Sequence, residues 1–330
     1  MSARVIRIKT VIFAGGKGVR FWPLSIIKPK PLLPIANSPM LERVLENIDR
    51  VLGIKEFIII TNYKSDQIEE YCGGLGFDIE IVKERKFLGT AGGLKLIEDR
   101  LDDDFVVWNS DTFAFFDARK MVKFHKGRKA LATICTTKNN IHSPFGEINN
   151  GANCKLKSFV EKPVFSHMVN IGIYALKPKI TEYIAKGERL DMNKLMERAI
   201  RHVYCYDIKG LWVDVGNIQN FVYANRLFLN KFRLEVNESG GAGFVLRGNY
   251  VLGKGVTIGS SSIISDSSIG NNVKIGANTE IESSIIFQGS VIGSNCKIKN
   301  SIIGYNSKVS DGTFMDHCTI AGLFKTNAKE

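Results

Sequence analysis

The stretch IRIKTVIFAGGKGVR, residues 6–20, joins an apolar run to a glycine-rich turn, and it decides the fold of the first half of the chain. The run predicts a buried strand. Glycines directly after a strand let backbone N–H groups approach a phosphate closely. Arg20 and Lys30 follow and add two positive charges in a segment that prolines stiffen. The spacing matches neither a GxGxxG fingerprint nor a Walker loop, so the glycines alone indicate either another phosphate loop or a tight turn.

Strand and helix signals alternate after this turn. A helix is predicted from about Met40 to Leu52, with Asn37 or Ser38 as its cap and Gly53 just past its end. Further strands are predicted at FIIIT (57–61), DIEIV (78–82) and FVVWNSD (105–111), and further helices near 64–72 and at 90–101. This alternation predicts a Rossmann-like α/β domain with a mostly parallel sheet, which binds ligands at the carboxyl ends of its strands.

The C-terminal part contains an internal repeat, in which equivalent apolar residues recur at every seventeenth position. Three interleaved series share this period: Leu252, Ile269, Ile286, Ile303 and Ile320; Ile258, Ile275, Ile292 and Val309; Ile264, Ile281, Ile298 and Met315. Three series at one period predict three short strands per coil, with one inward aliphatic side chain each. The pattern resembles the hexapeptide repeat of short left-handed parallel β-helices, with about four coils.

These signals divide the chain into four parts. Residues 1–230 are predicted to be the α/β domain and residues 250–322 the β-helix. Residues 231–249, which include ESGGAG, break both patterns and are predicted to be a linker, and residues 323–330 a tail.

Charge and cysteine content narrow the classes of function. The 330 residues carry a net charge of +12, of which residues 250–322 contribute zero and the last eight residues +1, so the first 249 carry +11. Such a surface suits phosphates or nucleic acid. No nucleic-acid-binding motif accompanies it, and no apolar run reaches the length of a membrane span. The six cysteines form no CxxC pair, which argues against a zinc site and against a disulfide framework. A reducing cytoplasm is therefore the expected location. The N-terminal sequence shows no export signal.

Several motifs in order along the chain resemble those of one enzyme family. They are GGKGVR (15–20) with PKPLLP (29–34), LGTAGGL (88–94), NSD (109–111), FVEKP (159–163), VNIGIYAL (169–176) and LWVDVGN (211–217). Together they resemble the sugar-1-phosphate nucleotidyltransferases over residues 11 to about 228. The resemblance implies attack of a sugar-phosphate oxygen on the α-phosphate of an NTP, with pyrophosphate leaving. Such a reaction needs alignment and charge neutralisation and no covalent protein nucleophile.

The resemblance also implies a role for each motif. The nucleotide would contact Ala14, Gly15, Gly16, Gly18, Glu84, Gly89, Thr90 and Ala91. The catalytic residues would be Arg20, Lys30, Asp111 and Asp214, and the two aspartates would hold Mg²⁺. The sugar phosphate would contact Gly146, Glu161, Lys162 and Asn170.

Four positions depart from the family pattern. Val19 and Ser25 replace threonines of the pattern, and Phe145 replaces a tyrosine, so one hydroxyl is kept and two are lost. Trp22 after Phe21 is also unusual, and core packing is the expected role of this pair. None of these changes removes a charged group.

The choice of nucleobase and sugar stays open on this reasoning. LGTAGG together with NSD is most similar to the mannose-1-phosphate guanylyltransferase branch, and Glu84 could accept two hydrogen bonds from guanine. The alternatives are a glucose-1-phosphate thymidylyl- or uridylyltransferase and a non-catalytic nucleotide-sugar-binding subunit. Acyl transfer is disfavoured, because His317 is the one histidine in the repeat. The repeat is expected to mediate a homo-oligomer, a dimer or tetramer.

Overall fold

The computed structural model describes residues 8–231 and 243–321. Seven strands form the central sheet of the first domain: β1 (Lys9–Phe13), β2 (Glu56–Thr61), β3 (Asp78–Lys83), β4 (Phe105–Asn109), β6 (Ala132–His142), β9 (Val164–Leu176) and β10 (Val203–Asp207). Three two-stranded antiparallel pairs complete the strands of this domain. One is the two-residue pair Pro34–Ile35 with Ser38–Pro39, and one is the hairpin of β7 (Glu147–Asn150) and β8 (Leu156–Val160). The third joins two segments that are distant in sequence, β5 (Thr112–Phe115) and β11 (Leu211–Asp214).

The order of strands in the sheet is β10-β6-β9-β4-β1-β2-β3. All neighbouring pairs are parallel except the two that involve β9, which runs antiparallel to both β4 and β6. The predicted mostly parallel sheet is therefore confirmed. The carboxyl ends of β1 and β4 lie side by side, with Phe13 paired to Asn109, and this brings the glycine turn and the NSD motif together.

Helices cover both faces of the sheet. They are α1 (Leu24–Ile27), α2 (Met40–Leu52), α3 (Ser65–Cys72), α4 (Ala118–Arg128), α5 (Met192–Arg198) and α6 (Ile218–Lys231). Short 3₁₀ helices occur at Val19–Phe21, Lys30–Leu32, Gly92–Arg100, Ala152–Cys154, Pro178–Tyr183 and Ile200–His202. The helix predicted at 90–101 is thus a 3₁₀ helix, which two adjacent glycines begin.

The predicted cap of α2 is wrong. Pro39 occupies the cap position and makes no side-chain capping bond. Asn37 instead donates from Nδ2 to the carbonyl oxygen of Ile269 at 2.7 Å, so it ties the first domain to the repeat. Gly53 ends the helix in the left-handed conformation, as predicted.

The repeat folds into three parallel sheets. Their strands are Val245–Arg247, Ile263–Ser265, Glu280–Glu282, Lys297–Lys299 and Phe314–Asp316 in the first; Val251–Leu252, Ser268–Ile269, Ile285–Ile286, Ile302–Ile303 and Thr319–Ile320 in the second; Thr257–Ile258, Lys274–Ile275, Val291–Ile292 and Lys308–Val309 in the third. The interior holds the predicted columns of aliphatic side chains. This is the arrangement of a left-handed parallel β-helix.

The β-helix begins before residue 250. Leu246 pairs with Ile264, and Ile264 pairs in turn with Ile281, so the first interval is one residue longer than the period of the following coils. One extra residue near Gly248 therefore shifted the first strand out of the period, and residues 245–249 belong to the first coil and not to a linker. The rest of the predicted linker from 232 to 242, and the predicted tail, lie outside the described residues.

The two domains share one hydrophobic cluster. Side chains of the sheet and of α6 pack against the β-helix residues Val251, Ile285, Phe287, Ile302 and Tyr305. Polar contacts border this junction, including Ser268 Oγ donating to Asn225 Oδ1 at 3.1 Å. Among the helices of the described ranges, none is long and apolar enough to cross a membrane. All six cysteines are free.

Candidate active site

The glycine turn is held in place from behind by a buried serine. Ser25 is fully buried, and its hydroxyl donates to the carbonyl oxygen of Gly18 at 2.8 Å. Gly18 has a φ of 62°, and a Cβ placed on it would lie 2.9 Å from Cβ of Lys30. Only glycine adopts this conformation at so close an approach without strain. The hydroxyl that Ser25 retains therefore fixes the turn against Lys30.

A cavity of about 250 Å³ opens at the carboxyl ends of β1 and β4. Its lining includes ten of the predicted site residues: Ala14, Gly15, Gly16, Gly18, Arg20, Lys30, Glu84, Gly89, Thr90 and Asp111. The other lining residues are Phe13, Pro31, Ile60, Phe87, Asn109 and Ser110. Residues that are almost a hundred positions apart in sequence therefore line the same cavity. It lies at the carboxyl ends of the strands, where open α/β sheets bind their ligands.

Two aspartates meet beside this cavity. Asp111 follows β4, Asp214 ends β11, and the N–H of Val215 donates to the carbonyl oxygen of Asp111 at 2.9 Å. Lys30 Nζ forms an ion pair with Asp111 Oδ2. Burial, and next the negative charge of Asp111, raise the pKa of Asp214, while Lys30 and Arg20 oppose this rise. The two carboxylates therefore form a like-charge pair in a half-buried position.

Arg20 completes this cluster. A Cβ placed on Gly216 would lie 2.5 Å from Asp214 Oδ2 and 3.2 Å from a guanidinium nitrogen of Arg20. Gly216 thus leaves the space in which Asp214 and Arg20 approach each other. Arg20, Lys30, Asp111 and Asp214, predicted from three motifs, lie in one cluster of charges.

The donor set of this cluster fits Mg²⁺ shared with a phosphate ligand. Within residues 8–231 and 243–321, no group of three or more histidine, cysteine, aspartate or glutamate side chains could hold a metal ion. Mg²⁺ keeps several waters and is commonly bound by one or two carboxylates plus substrate phosphates. After burial, the negative charge of Asp111 raises the pKa of Asp214, and a divalent cation held by the two carboxylates would offset that repulsion.

Glu84 lies at the other side of the cavity, under the glycine turn. A Cβ placed on Gly93 would lie 2.8 Å from its Oε1, and one on Gly15 would lie 3.4 Å from its Oε2. Glu84 Oε1 is buried and has no hydrogen-bond partner in the described part of the chain. Burial raises the pKa of Glu84 to about 7, although the backbone N–H of Leu88 opposes the rise. Glu84 therefore places a buried carboxylate oxygen without a hydrogen-bond partner in the wall of the cavity.

The predicted base-side loop is tied to a distant segment. The N–H of Thr90 donates to Asp191 Oδ1 at 3.1 Å, and the Thr90 hydroxyl accepts from the N–H of Met192 at 2.9 Å. The N–H of Ala91 donates to the carbonyl oxygen of Leu190 at 2.9 Å. Ala91 is buried and does not line the cavity. Sequence reasoning missed Asp191, because nothing local relates it to a loop a hundred residues earlier.

The predicted sugar-side residues lie on a separate arm built by β6, β9 and the β7–β8 pair. A Cβ placed on Gly146 would lie 2.8 Å from the Phe159 ring and 2.9 Å from Glu161 Oε2, so Gly146 is in close contact with the FVEKP strand. Glu161 and Lys162 are exposed. None of the four predicted sugar-side residues lines the cavity.

Asn170 connects this arm to the cavity. Its Oδ1 accepts from the N–H of Gly172 at 2.9 Å, and its Nδ2 donates to the hydroxyl of Tyr174 at 2.5 Å. Gly172 has a φ of 75° and lies against the side chain of Asn109, a cavity residue. Asn170 therefore holds the irregular turn of β9 next to the site.

The two aromatic residues after Arg20 differ in their exposure to solvent. Phe21 is buried, as predicted, but Trp22 is 57% exposed, so core packing was the wrong expectation for it. The 3₁₀ helix Val19–Phe21 turns neighbouring side chains to different sides, which the dipeptide alone did not indicate. Val19 and Phe145, the positions that lack a family hydroxyl, are exposed.

Two models of known protein families match this chain, one in each domain. The nucleotidyl transferase family model matches residues 9–231, and the chain belongs to that family. A second model, the EIF2B subunit epsilon LbH domain, matches residues 237–324.

Curated relatives narrow the class. A mannose-1-phosphate guanyltransferase from Yarrowia lipolytica is 33% identical over an alignment of 235 residues that covers 68% of this chain and 64% of the relative. The catalytic subunit beta of a mannose-1-phosphate guanylyltransferase from Dictyostelium discoideum is 32% identical over an alignment of 268 residues that covers 78% of this chain and 73% of the relative. The chain therefore spans less than two thirds of the length of the first of these relatives.

Solved structures share the fold of the first domain. A protein from Bacillus anthracis described as a putative glucose-1-phosphate thymidylyltransferase, solved in complex with sucrose, superposes with a TM-score of 0.55 at 25% identity, over 67% of this chain and 95% of that one. HddC from Yersinia pseudotuberculosis superposes with a TM-score of 0.53 at 24% identity, over 67% of this chain and all of that one.

Proposed function

We propose that this protein makes GDP-mannose and pyrophosphate from GTP and mannose 1-phosphate, with Mg²⁺. The observation that carries the proposal is the meeting of the glycine turn, Arg20, Lys30 and the two aspartates around one cavity. The kinship with mannose-1-phosphate guanylyltransferases supports the choice of substrates. A cytoplasmic location is part of the proposal, because six free cysteines suit a reducing compartment.

The chemistry follows from charge. Crowded phosphates repel an incoming phosphate oxygen, so the site must neutralise them and hold the reactants in line. Backbone N–H groups of Gly15, Gly16 and Gly18 would contact the phosphates of the nucleotide. Arg20 would stabilise the leaving pyrophosphate, and Lys30 would exchange its ion pair with Asp111 for a contact to phosphate.

Asp111 and Asp214 would hold Mg²⁺ together with phosphate oxygens. The ion would supply further positive charge at the reacting phosphate. Lys30 bound to Asp111 keeps that carboxylate compensated in the protein without ligand. The two aspartates would then both be free for the metal once Lys30 turns to the nucleotide.

The base and the sugar would bind on opposite sides of this cluster. The unpaired Oε1 of Glu84 supports guanine, whose edge presents two neighbouring N–H donors to a carboxylate. On the arm, Glu161 would accept hydrogen bonds from sugar hydroxyls and Lys162 would pair with the sugar phosphate. Gly146 and Asn170 would line that sugar site.

The test is a matrix of four NTPs against several hexose 1-phosphates, read by pyrophosphate release with Mg²⁺. We expect the highest rate with GTP and mannose 1-phosphate, and we expect none in EDTA. A preference for dTTP or UTP with glucose 1-phosphate would overturn the substrate choice. No turnover with any pair would overturn the enzymatic function and leave a nucleotide-sugar-binding subunit.

A further inference from the structure

One coil of the β-helix breaks the repeat where it touches the first domain. The residue after the inward aliphatic side chain is glycine in three coils, at Gly253, Gly270 and Gly304, and phenylalanine at the equivalent position 287. Ile286 belongs to the interior column, whereas Phe287 belongs to the hydrophobic cluster shared by the two domains. Phe287 is 1% exposed, so a large side chain is buried at the domain junction at a position where three other coils have glycine.

Phe287 ends a continuous series of ring contacts that leads to the charge cluster. Its ring centroid lies 6.3 Å from that of Phe221 on α6, and Phe221 contacts Phe21 edge-on at 5.8 Å with an interplanar angle of 87°. Lys30 Nζ lies 4.9 Å from the centroid of the Phe21 ring. On its other side, the Phe287 ring contacts Tyr305 of the β-helix, with the ring centroids 4.7 Å apart.

These contacts restrict Lys30 on two sides. Its ammonium lies between the carboxylate of Asp111 and the face of Phe21. A cation is attracted to an aromatic ring only over its face, so the orientation of the Phe21 ring decides this contact. Phe21 and Phe221 are buried, and packed rings of this kind have few alternative positions. Replacement of Phe287 by a smaller side chain would leave space into which the Phe221 ring could turn, and the Phe21 ring could then follow it.

We propose that Phe287 of the β-helix is a positioning residue for Lys30, so that the repeat domain completes the active site of the first domain. The inference rests on the proposed function, which assigns Lys30 to the phosphates. It does not require Phe287 to touch a substrate. It differs from an assembly role of the repeat, because it acts within one chain.

The test compares three substitutions with wild type in steady-state kinetics of the full chain. Phe287→Leu keeps an apolar side chain but removes the ring, and we expect kcat to fall about five- to tenfold with KM for GTP within twofold. Phe287→Tyr keeps the ring and should restore kcat to within about twofold of wild type. Ile281→Ala is the matched control, because Ile281 is fully buried in the interior column of the same coil. It should lower the melting temperature and leave kcat unchanged.

A double-mutant cycle separates positioning from general destabilisation. If Phe287 acts through Lys30, Phe287→Leu should have little further effect on kcat in a Lys30→Gln background. Additive losses, or equal kcat for wild type and Phe287→Leu, would overturn the inference. A wild type without turnover would instead overturn the proposed function, and the two failures are therefore distinguishable.

Discussion

The ionisation of the buried Glu84 carboxyl should control the affinity for the nucleotide. Its pKa of about 7 means that the free protein holds a mixture of protonated and ionised forms near neutral pH. Guanine N–H donors require the ionised form. A ligand that binds only the ionised form gains affinity as pH rises towards and past the pKa, and its affinity then levels off.

We therefore predict that the affinity for GTP rises about tenfold between pH 6 and pH 8, measured by isothermal titration calorimetry. Glu84→Gln should abolish this pH dependence and weaken binding at pH 8 about tenfold, because one of two acceptors becomes a donor. A pH-independent wild type, or a Glu84→Gln variant that binds GTP as tightly, would contradict the role of Glu84.

Asp214 gives a prediction that separates activity from stability. Its pKa is raised in the folded chain, so ionisation is less favourable there than in the unfolded chain, and its charge destabilises the fold at neutral pH. Asp214→Asn should therefore keep or raise the melting temperature while turnover falls about a hundredfold or more. Differential scanning fluorimetry and pyrophosphate release measure the two effects. Unchanged turnover would remove Asp214 from the metal site.

At this scale, the sequence predicted the residues of the charge cluster but not their supports. Arg20, Lys30 and Asp111 stand in motifs, so their types and spacing could be read directly. Asp191 and Phe287 act through contacts with residues far away in sequence, and a single sequence holds no signal for such pairs.

The glycine turn can be tested as an element, because its glycines differ in their surroundings. A Cβ on Gly16 would meet nothing within 4 Å, whereas Gly18 combines a φ of 62° with the close approach to Lys30. Gly16→Ala should leave the melting temperature within about 1 °C and raise KM for GTP about tenfold, because its methyl group enters the cavity.

Gly18→Ala is the contrasting variant. It should lower the melting temperature by several degrees, since a strained left-handed residue costs about 1–3 kcal/mol. Equal melting temperatures for the two variants would contradict the conformation of the turn. Equal KM values for Gly16→Ala and wild type would contradict phosphate binding by its backbone.

Elements with a regular period were predicted well, and those at irregular points were not. The constant period fixed the coils from Leu252 onward, but the pairing of Leu246 with Ile264 spans one extra residue, so the first strand was missed. The cap of α2 was also missed, because Asn37 bonds to Ile269 in the other domain. Both failures arise where tertiary contacts, and not local preferences, set the geometry.

For the whole molecule, the shared hydrophobic cluster changes what a truncation reports. Cutting the chain after about residue 240 would remove the repeat, and with it any contribution of the repeat to assembly. The junction now shows that such a cut would expose Phe221 and its neighbours, which Phe287 and Tyr305 cover. We predict that the truncated chain loses stability and solubility, which makes truncation unsuitable for measuring assembly.

The full chain is the appropriate sample for the oligomeric state. We predict a dimer or tetramer by light scattering coupled to size exclusion, through the β-helix. Phe314 lies in the last described strand of its sheet and is 68% exposed, so a substitution there tests assembly through this end of the β-helix. Phe314→Lys should shift the assembly towards monomer with the melting temperature preserved. A monomeric wild type, or an unchanged assembly in Phe314→Lys, would contradict the prediction.

We infer that the cavity and the arm beside it bring a nucleotide and a sugar phosphate together. The most direct measurement is ³¹P NMR of GTP, mannose 1-phosphate and Mg²⁺ incubated with the full chain. We predict the appearance of GDP-mannose and pyrophosphate in equal amounts, and their absence with Asp111→Asn. Hydrolysis of GTP to GDP and phosphate without a sugar diphosphate, or unchanged GTP, would contradict it.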